Sequence, residues 1–89
     1  MKGKGRMDKT IYTREYTAVL RLLKKARESA GITQVQLAER LGQTQSFVSK
    51  IERGERRLDI VQLRTILKEF KMSLPKFVEQ FESVLAKRV

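Results

Sequence analysis

Apolar residues recur every three or four positions along most of this chain, which is the period of an amphipathic helix. No segment shows the strict apolar and polar alternation of a half-buried strand, and no internal repeat is present. The pattern therefore predicts an all-α fold of five helices. Their expected spans are 13–30, 33–41, 44–53, 59–70, and from 73 towards the end of the chain.

Residues that begin or end helices stand at the boundaries of these segments. Thr, Asp and Ser side chains can accept a backbone N–H in the first turn, and glycine tolerates the conformation that follows a last turn. The predicted starts are Thr13, Thr33, Thr44, Asp59 and Ser73, and the predicted stops are Gly31, Gly42 and Gly54.

Two of the predicted helices are short and separated by a tight bend within 33–54. Steeply crossing helices need a small residue at the crossing, here Ala38, and a bend that tolerates positive φ, here Gly42. The inward positions of the pair are Leu37, Leu41, Val48 and Ile51. This arrangement predicts a helix-turn-helix, a device that places its second helix in the major groove of DNA.

The apolar faces of the outer helices are also read from spacing. In the first helix the expected inward set is Tyr16, Val19, Leu20, Leu23, Ala26 and Ala30, with Leu22 half-exposed. In the fourth it is Ile60 or Val61, then Leu63, Ile66, Leu67 and Phe70. In the fifth, Phe77, Phe81, Val84 and Leu85 belong to a stripe that is long for one small domain to bury.

The first residues of the chain are rich in Gly and Lys and show no periodicity. They predict a flexible basic tail over 1–12, followed by one folded domain over 13–89. Two interpretations of the tail stay open. Lys2, Lys4 and Arg6 form either an arm that follows DNA or a solubilising end.

Charge and composition narrow the function. The chain of 89 residues carries a formal net charge of +10, which favours polyanionic partners and nucleic acid above all. It contains neither cysteine nor histidine, so the common nucleophiles, general bases and metal ligands are missing. We therefore expect no enzyme, no cofactor, no metal and no small-molecule ligand. Apolar runs are too short to span a bilayer or to form a secretory signal, which predicts a cytoplasmic protein without a membrane partner.

A group of residues in the central segment resembles the XRE-type helix-turn-helix family, which contains phage repressors and Cro proteins. The resemblance covers about 16–77 and rests on Gln34, Leu37-Ala38, Gly42, Gln45-Ser46 and the run from Val48 to Gly54. One departure is Gln43, where the family usually has an apolar residue. The resemblance implies a lambda-repressor-like fold and a transcriptional regulator that binds double-stranded DNA.

Base readout is expected from the outward side of the third helix. The amide of Gln45 can donate to and accept from an adenine edge, and Ser46 and Ser49 are short groups that can touch bases, phosphates or water. Lys50 can reach guanine O6 and N7 or a phosphate. Phe47 either presses on a thymine methyl group or packs sideways on the protein, and the second interpretation is favoured.

Contacts with the DNA backbone are expected around this helix. The resemblance implies that Gln34 contacts a phosphate and braces Gln45. The predicted phosphate contacts are Gln34, Arg40, Thr44, Arg53, Arg56 and Arg57. The alternative for the arginines is a solvated cluster partly neutralised by Glu52 and Glu55. The family also places the glutamate at Glu52 inward, which implies an ion pair with Arg27 between the first and third helices.

One recognition helix discriminates only a few base pairs, so we expect a homodimer that reads a two-fold-symmetric operator. Candidate dimer contacts are Phe77, Phe81, Val84 and Leu85 in the fifth helix. The same stripe supports an alternative function, an antitoxin-like or other module that binds a protein partner. RNA binding driven by charge alone ranks last, because no aromatic residues are arranged to stack on bases.

Overall fold

The computed structural model describes residues 13–87, which form five helices and contain no strand. The helices are α1 (Arg14–Ser29), α2 (Gln34–Leu41), α3 (Gln45–Glu52), α4 (Ile60–Glu69) and α5 (Leu74–Lys87). This architecture confirms the all-α, five-helix prediction. The predicted basic tail lies outside the described residues.

Side-chain caps fix the starts of the helices at the predicted residues. The hydroxyl oxygens of Thr13 and Thr44 accept the backbone N–H three residues later, at 3.1 Å in both cases. Thr33 and Asp59 form reciprocal capping boxes with the glutamines three residues after them. Each cap satisfies an N–H that the first helical turn leaves without a partner.

The core lies between α1, α2, α3 and α4 and is closed on one side by the start of α5. Its buried members are Leu23, Ile32, Leu37, Ala38, Val48, Ile51, Ile66, Leu67 and Phe77. The four apolar residues that define the helix-turn-helix pattern therefore share one interior with the outer helices, although Leu41 is only partly buried. The Tyr16 hydroxyl accepts the Leu58 N–H at 3.1 Å, which ties α1 to the segment before α4.

Three parts of the predicted core need correction. Ala30 was expected to face inward but is exposed, because α1 ends at Ser29 and Ala30 is its C-cap. Ala18 was not assigned to the inward face of α1 but is buried. Ile60 and Val61 are exposed rather than inward, because no other helix covers the first turn of α4. Phe77 is only 2% exposed, so it packs inside its own subunit and is not available as a dimer contact.

The rest of the α5 stripe is half-buried. Phe81, Val84 and Leu85 have intermediate exposure on α5, a helix that packs on α1. Among the described residues, no helix is both long and apolar enough to cross a membrane.

The loop after α3 supplies a test of local packing. Gly54 has φ of 79°, and a Cβ added there would lie 3.2 Å from Leu20 Cδ1. Gly31 has a similar φ of 74°, but an added Cβ would meet no atom within 4 Å. We expect Gly31→Ala to cost about 1 kcal/mol through the left-handed backbone alone. Gly54→Ala should cost about 2 kcal/mol, because Leu20 must also move.

Urea denaturation of the two glycine variants measures this difference directly. Equal loss of stability in both variants would show that the Leu20 contact contributes nothing.

Candidate DNA-binding surface

The turn between α2 and α3 sets the direction of the second helix. Gly42 ends α2 in the left-handed conformation, with φ of 67° and ψ of 33°. The N–H of Gln43 donates to the Ala38 carbonyl at 2.8 Å, which closes the bend. Since Val48 and Ile51 face the core, the opposite side of α3 presents Gln45, Ser46 and Lys50 to solvent, with Ser49 half-buried.

An ion pair lies beneath this surface. Arg27 Nε donates to Glu52 Oε2 at 2.7 Å and Nη2 donates to Oε1 at 3.1 Å, so the contact is bidentate. The two side chains are 8% and 5% exposed. The hydrogen bonds that Arg27 donates to Glu52 raise the pKa of Arg27, and Arg27 Nη1 also donates to the Ile32 carbonyl at 2.8 Å. The structure thus brings together the two residues that the family resemblance pairs.

A chain of hydrogen bonds leads from the ion pair to the outer face of α3. Gln34 Nε2 donates to Glu52 Oε1 at 2.9 Å, and Gln34 Oε1 accepts Gln45 Nε2 at 3.3 Å. Glu52 accepts only, so it requires the amide nitrogen of Gln34 on its side and leaves the oxygen directed to Gln45. We call Arg27, Glu52, Gln34 and Gln45 the polar relay.

The polar relay leaves one donor and the acceptor of the Gln45 amide available for a base. Its amide has two N–H donors and one carbonyl, and the bond to Gln34 takes one donor. One N–H and the carbonyl oxygen remain, which are the two groups that a bidentate contact with adenine N7 and N6 requires. Gln45 itself is exposed, whereas Gln34 is half-buried.

Phe47 is half-buried and packs against the core instead of standing out from α3. The guanidinium carbon of Arg56 lies 4.7 Å from the centroid of its ring, a cation–π contact. This geometry favours the interpretation of Phe47 as a packing residue. It also restrains Arg56 beside α3.

Arg53 is held across the end of α3. Its Nε and Nη2 donate to the Glu55 carboxylate at 2.9 and 3.0 Å, and Nη1 donates to the Ser49 hydroxyl. The hydrogen bond raises the pKa of Arg53 and lowers the pKa of Glu55, so both remain charged. Both side chains are more than half exposed. The remaining predicted phosphate contacts, Arg40, Thr44 and Arg57, are exposed as well.

The structure places beside this surface two basic residues that were not among the predicted phosphate contacts. A shallow groove beside Arg53 and Gly54 is lined on the α1 side by Arg21 and Lys24. These two residues are three apart and are therefore neighbours on the helix surface. Their spacing was visible in the sequence, but their position beside the end of α3 depends on how α1 crosses it.

Two short helices joined at a left-handed glycine, with a polar outer face and basic flanks, define a helix-turn-helix DNA-binding domain. A family model described as helix-turn-helix matches residues 23–77, more than half of the chain. A solved structure of an XRE-family like protein from Pseudomonas syringae pv. tomato str. DC3000 is 42% identical, with a TM-score of 0.78. The match covers 89% of this chain and 96% of that one.

The chain belongs to the XRE-type helix-turn-helix family. No curated protein matches it. Family membership makes this chain a DNA-binding transcriptional regulator.

Proposed function

We propose that this regulator reads a specific operator in double-stranded DNA by placing α3 in the major groove. The observation that carries the proposal is the polar relay, which fixes the exposed amide of Gln45 from the buried Arg27–Glu52 pair. A side chain held in place before binding loses less conformational entropy when it meets a base. Gln45 is therefore the principal base-reading residue, with adenine as its base.

The neighbouring groups on α3 have supporting roles. Ser46 and Lys50 are exposed and can reach base edges or phosphates, with Lys50 suited to guanine. Ser49 accepts a hydrogen bond from Arg53 and keeps its own O–H as a donor, so it can contact a base without losing that bond.

Phosphates are bound on both sides of α3. Gln34 and Thr44 lie at or next to helix N-termini, where the partial positive charge favours an anion. The arginines of this set are Arg40, Arg53, Arg56 and Arg57. Such contacts position the protein on the duplex without reading its sequence.

The same proposal includes two copies of the chain on one operator. A single α3 offers about four side chains to the bases, whereas two copies on one face multiply the discrimination. Half-sites related by two-fold symmetry should lie about 10 base pairs apart, roughly one helical turn. The alternative, a module that binds another protein through α5, receives less support because Phe77 belongs to the core.

Selection of duplexes from a random pool by the wild-type protein tests this function. The selection is run at about 150 mM salt, because salt weakens contacts made by charge alone. We expect one enriched motif with two-fold symmetry and an adenine in each half. A pool that stays random while binding remains salt-sensitive would contradict sequence-specific recognition.

Glu55 provides a further prediction, because it competes with DNA for Arg53. In Glu55→Gln the charged hydrogen-bond partner is lost and one negative charge is removed near the phosphates. We expect tighter binding to selected and random duplexes by a similar factor of about 3 to 10, with a steeper salt dependence. Fluorescence anisotropy across a salt series measures both.

Glu28→Gln makes the same charge change at an exposed site near the end of α1 and serves as the control. An equal gain in affinity for both variants would mean that net charge, and not release of Arg53, explains the effect.

A further inference from the structure

A long groove runs along the junction of α1 and α5. Two adjoining hollows of about 460 and 290 Å³ form it, and they meet at Leu22 and Lys25. The residues on its α1 side extend from Arg14 to Ala30, a distance of about 24 Å along a helix. We call these two hollows the α1–α5 groove. Among the described residues that line it, none belongs to α2 or α3, so it is separate from the outer face of α3.

One side of the α1–α5 groove is basic. Arg21 and Lys25 follow Arg14 by seven and eleven positions, about two and three helical turns, so the three exposed cations form one row along α1. The acidic residues of α1, Glu15 and Glu28, do not line the groove. Within residues 13–87, none of the three cations forms an ion pair. The row therefore presents positive charge that no carboxylate of the described chain neutralises.

The floor of the α1–α5 groove is apolar. Leu22, Met72 and Val84 line it and are half-buried. Ala18 and Ala26 also line it, and their small side chains allow an occupant to approach α1 closely. Covering half-buried apolar side chains is favourable because it removes their surface from water. An occupant must therefore offer apolar side chains to the floor and negative charge to the basic row.

We propose that the α1–α5 groove binds an acidic amphipathic helix of a partner protein. Such a helix can lay its apolar side into the groove between two packed helices and carry carboxylates along its flank. Those carboxylates pair with Arg14, Arg21 and Lys25, and the apolar side covers the floor. The partner adds to DNA binding and does not replace it, because the groove and the outer face of α3 are separate surfaces.

Other occupants satisfy only part of this chemistry. DNA phosphates match the cations but leave the apolar floor in water. A second copy of this chain brings a formal net charge of +10 to a surface that is already positive. A segment that binds as an added strand requires a sheet edge, and residues 13–87 contain no strand. An acidic amphipathic helix satisfies both the basic row and the apolar floor.

The test uses a synthetic peptide of about 16 residues, which matches the length of the groove. Leu recurs every three or four positions, and Glu flanks the Leu positions. A side-chain cross-link keeps the peptide helical, because short isolated helices are marginal in water. A matched peptide carries Gln in place of every Glu. Calorimetric titration gives both affinities, and NMR of the isotope-labelled protein locates the bound peptide.

We expect the acidic peptide to bind in the micromolar range and the Gln peptide to bind about 10-fold more weakly, since each exposed ion pair contributes little alone. Arg14→Gln/Lys25→Gln should weaken binding of the acidic peptide about 5-fold. Arg64→Gln/Lys68→Gln makes the same charge change at exposed positions of α4 and should leave the affinity within about twofold.

The contribution of the floor is tested in α5. Val84→Ser should weaken binding of the acidic peptide about 5-fold, because it removes an apolar side chain that the peptide covers. Val78→Ser is the control, since Val78 lies on the same helix, is 43% exposed and does not line the groove. In the wild-type protein the largest NMR shift changes should occur at Leu22, Lys25 and Val84.

Four results would overturn the proposal. No binding of the acidic peptide, or equal affinity for both peptides, would contradict recognition of an acidic helix. Shift changes centred on α3 would show that the peptide occupies the DNA-binding surface instead. Equal losses in the groove variants and their controls would place the peptide elsewhere. A free protein that sediments as a dimer, and that Val84→Ser makes monomeric, would assign the groove to a second copy of this chain.

Discussion

Arg27→Ala should lower the free energy of unfolding by about 3 kcal/mol or more. The substitution leaves Glu52 charged, buried and without its bidentate partner. It also removes the donor to the Ile32 carbonyl. For a domain of this size the loss corresponds to a fall in melting temperature of about 10 °C or more.

Urea denaturation of Arg27→Ala measures the effect, and Arg53→Ala is the matched control. Arg53 also pairs with a glutamate through two hydrogen bonds, but that pair is more than half exposed. We expect the control to unfold like the wild-type protein, because water screens exposed pairs. An unchanged midpoint in Arg27→Ala would show that the buried pair has no structural role.

The double variant Arg27→Met/Glu52→Met separates the two effects of the ion pair. Apolar side chains in place of both charges should restore most of the stability, since no buried charge is left alone. Gln34 would still lose the Glu52 carboxylate that orients its amide, so the hydrogen bond from Gln45 to Gln34 should weaken. We expect a folded protein with reduced operator affinity.

Gln45→Ala should reduce affinity for the selected duplex by about 1 to 3 kcal/mol, the value of one good bidentate base contact. Binding to random duplexes should change little, because an amide carries no charge for the phosphates. Loss of affinity should therefore appear as loss of discrimination, measured as the ratio of the two dissociation constants.

Gln43→Ala is the control for this prediction. Gln43 is an exposed glutamine two residues earlier and has no part in the polar relay. Equal loss of discrimination in both variants would mean that Gln45 has no special position. Gln34→Ala should reduce discrimination less than Gln45→Ala. It removes the hydrogen-bond acceptor that orients Gln45 but leaves the Gln45 amide that contacts the base.

The helix-turn-helix was predictable because short-range rules define it. Ala38 and Gly42 occupy the crossing and the bend, and the caps at Thr33 and Thr44 lie next to the residues they cap. Spacing alone could not identify Glu52 as buried, since a carboxylate near arginines reads equally as a surface charge. The family resemblance supplied that position, and the structure gives the distances.

Other features depend on tertiary structure that periodicity does not encode. Ile60 continues the apolar stripe of α4 by spacing, yet the stripe extends past the helices that could cover it. Phe77 and Phe81 are four apart on one face, but only Phe77 reaches the core. The contact between Arg53 and Glu55 depends on the loop that Gly54 turns, where the Glu55 N–H donates to the Lys50 carbonyl at 2.8 Å.

Base reading by Gln45 is tested most directly by a paired selection from one random duplex pool, by the wild-type protein and by Gln45→Ala at about 150 mM salt. We expect the same two-fold motif from both proteins, except that the preference for adenine at one position in each half-site relaxes in the variant. Identical adenine preference from both proteins would contradict the proposal that the polar relay presents Gln45 to the bases.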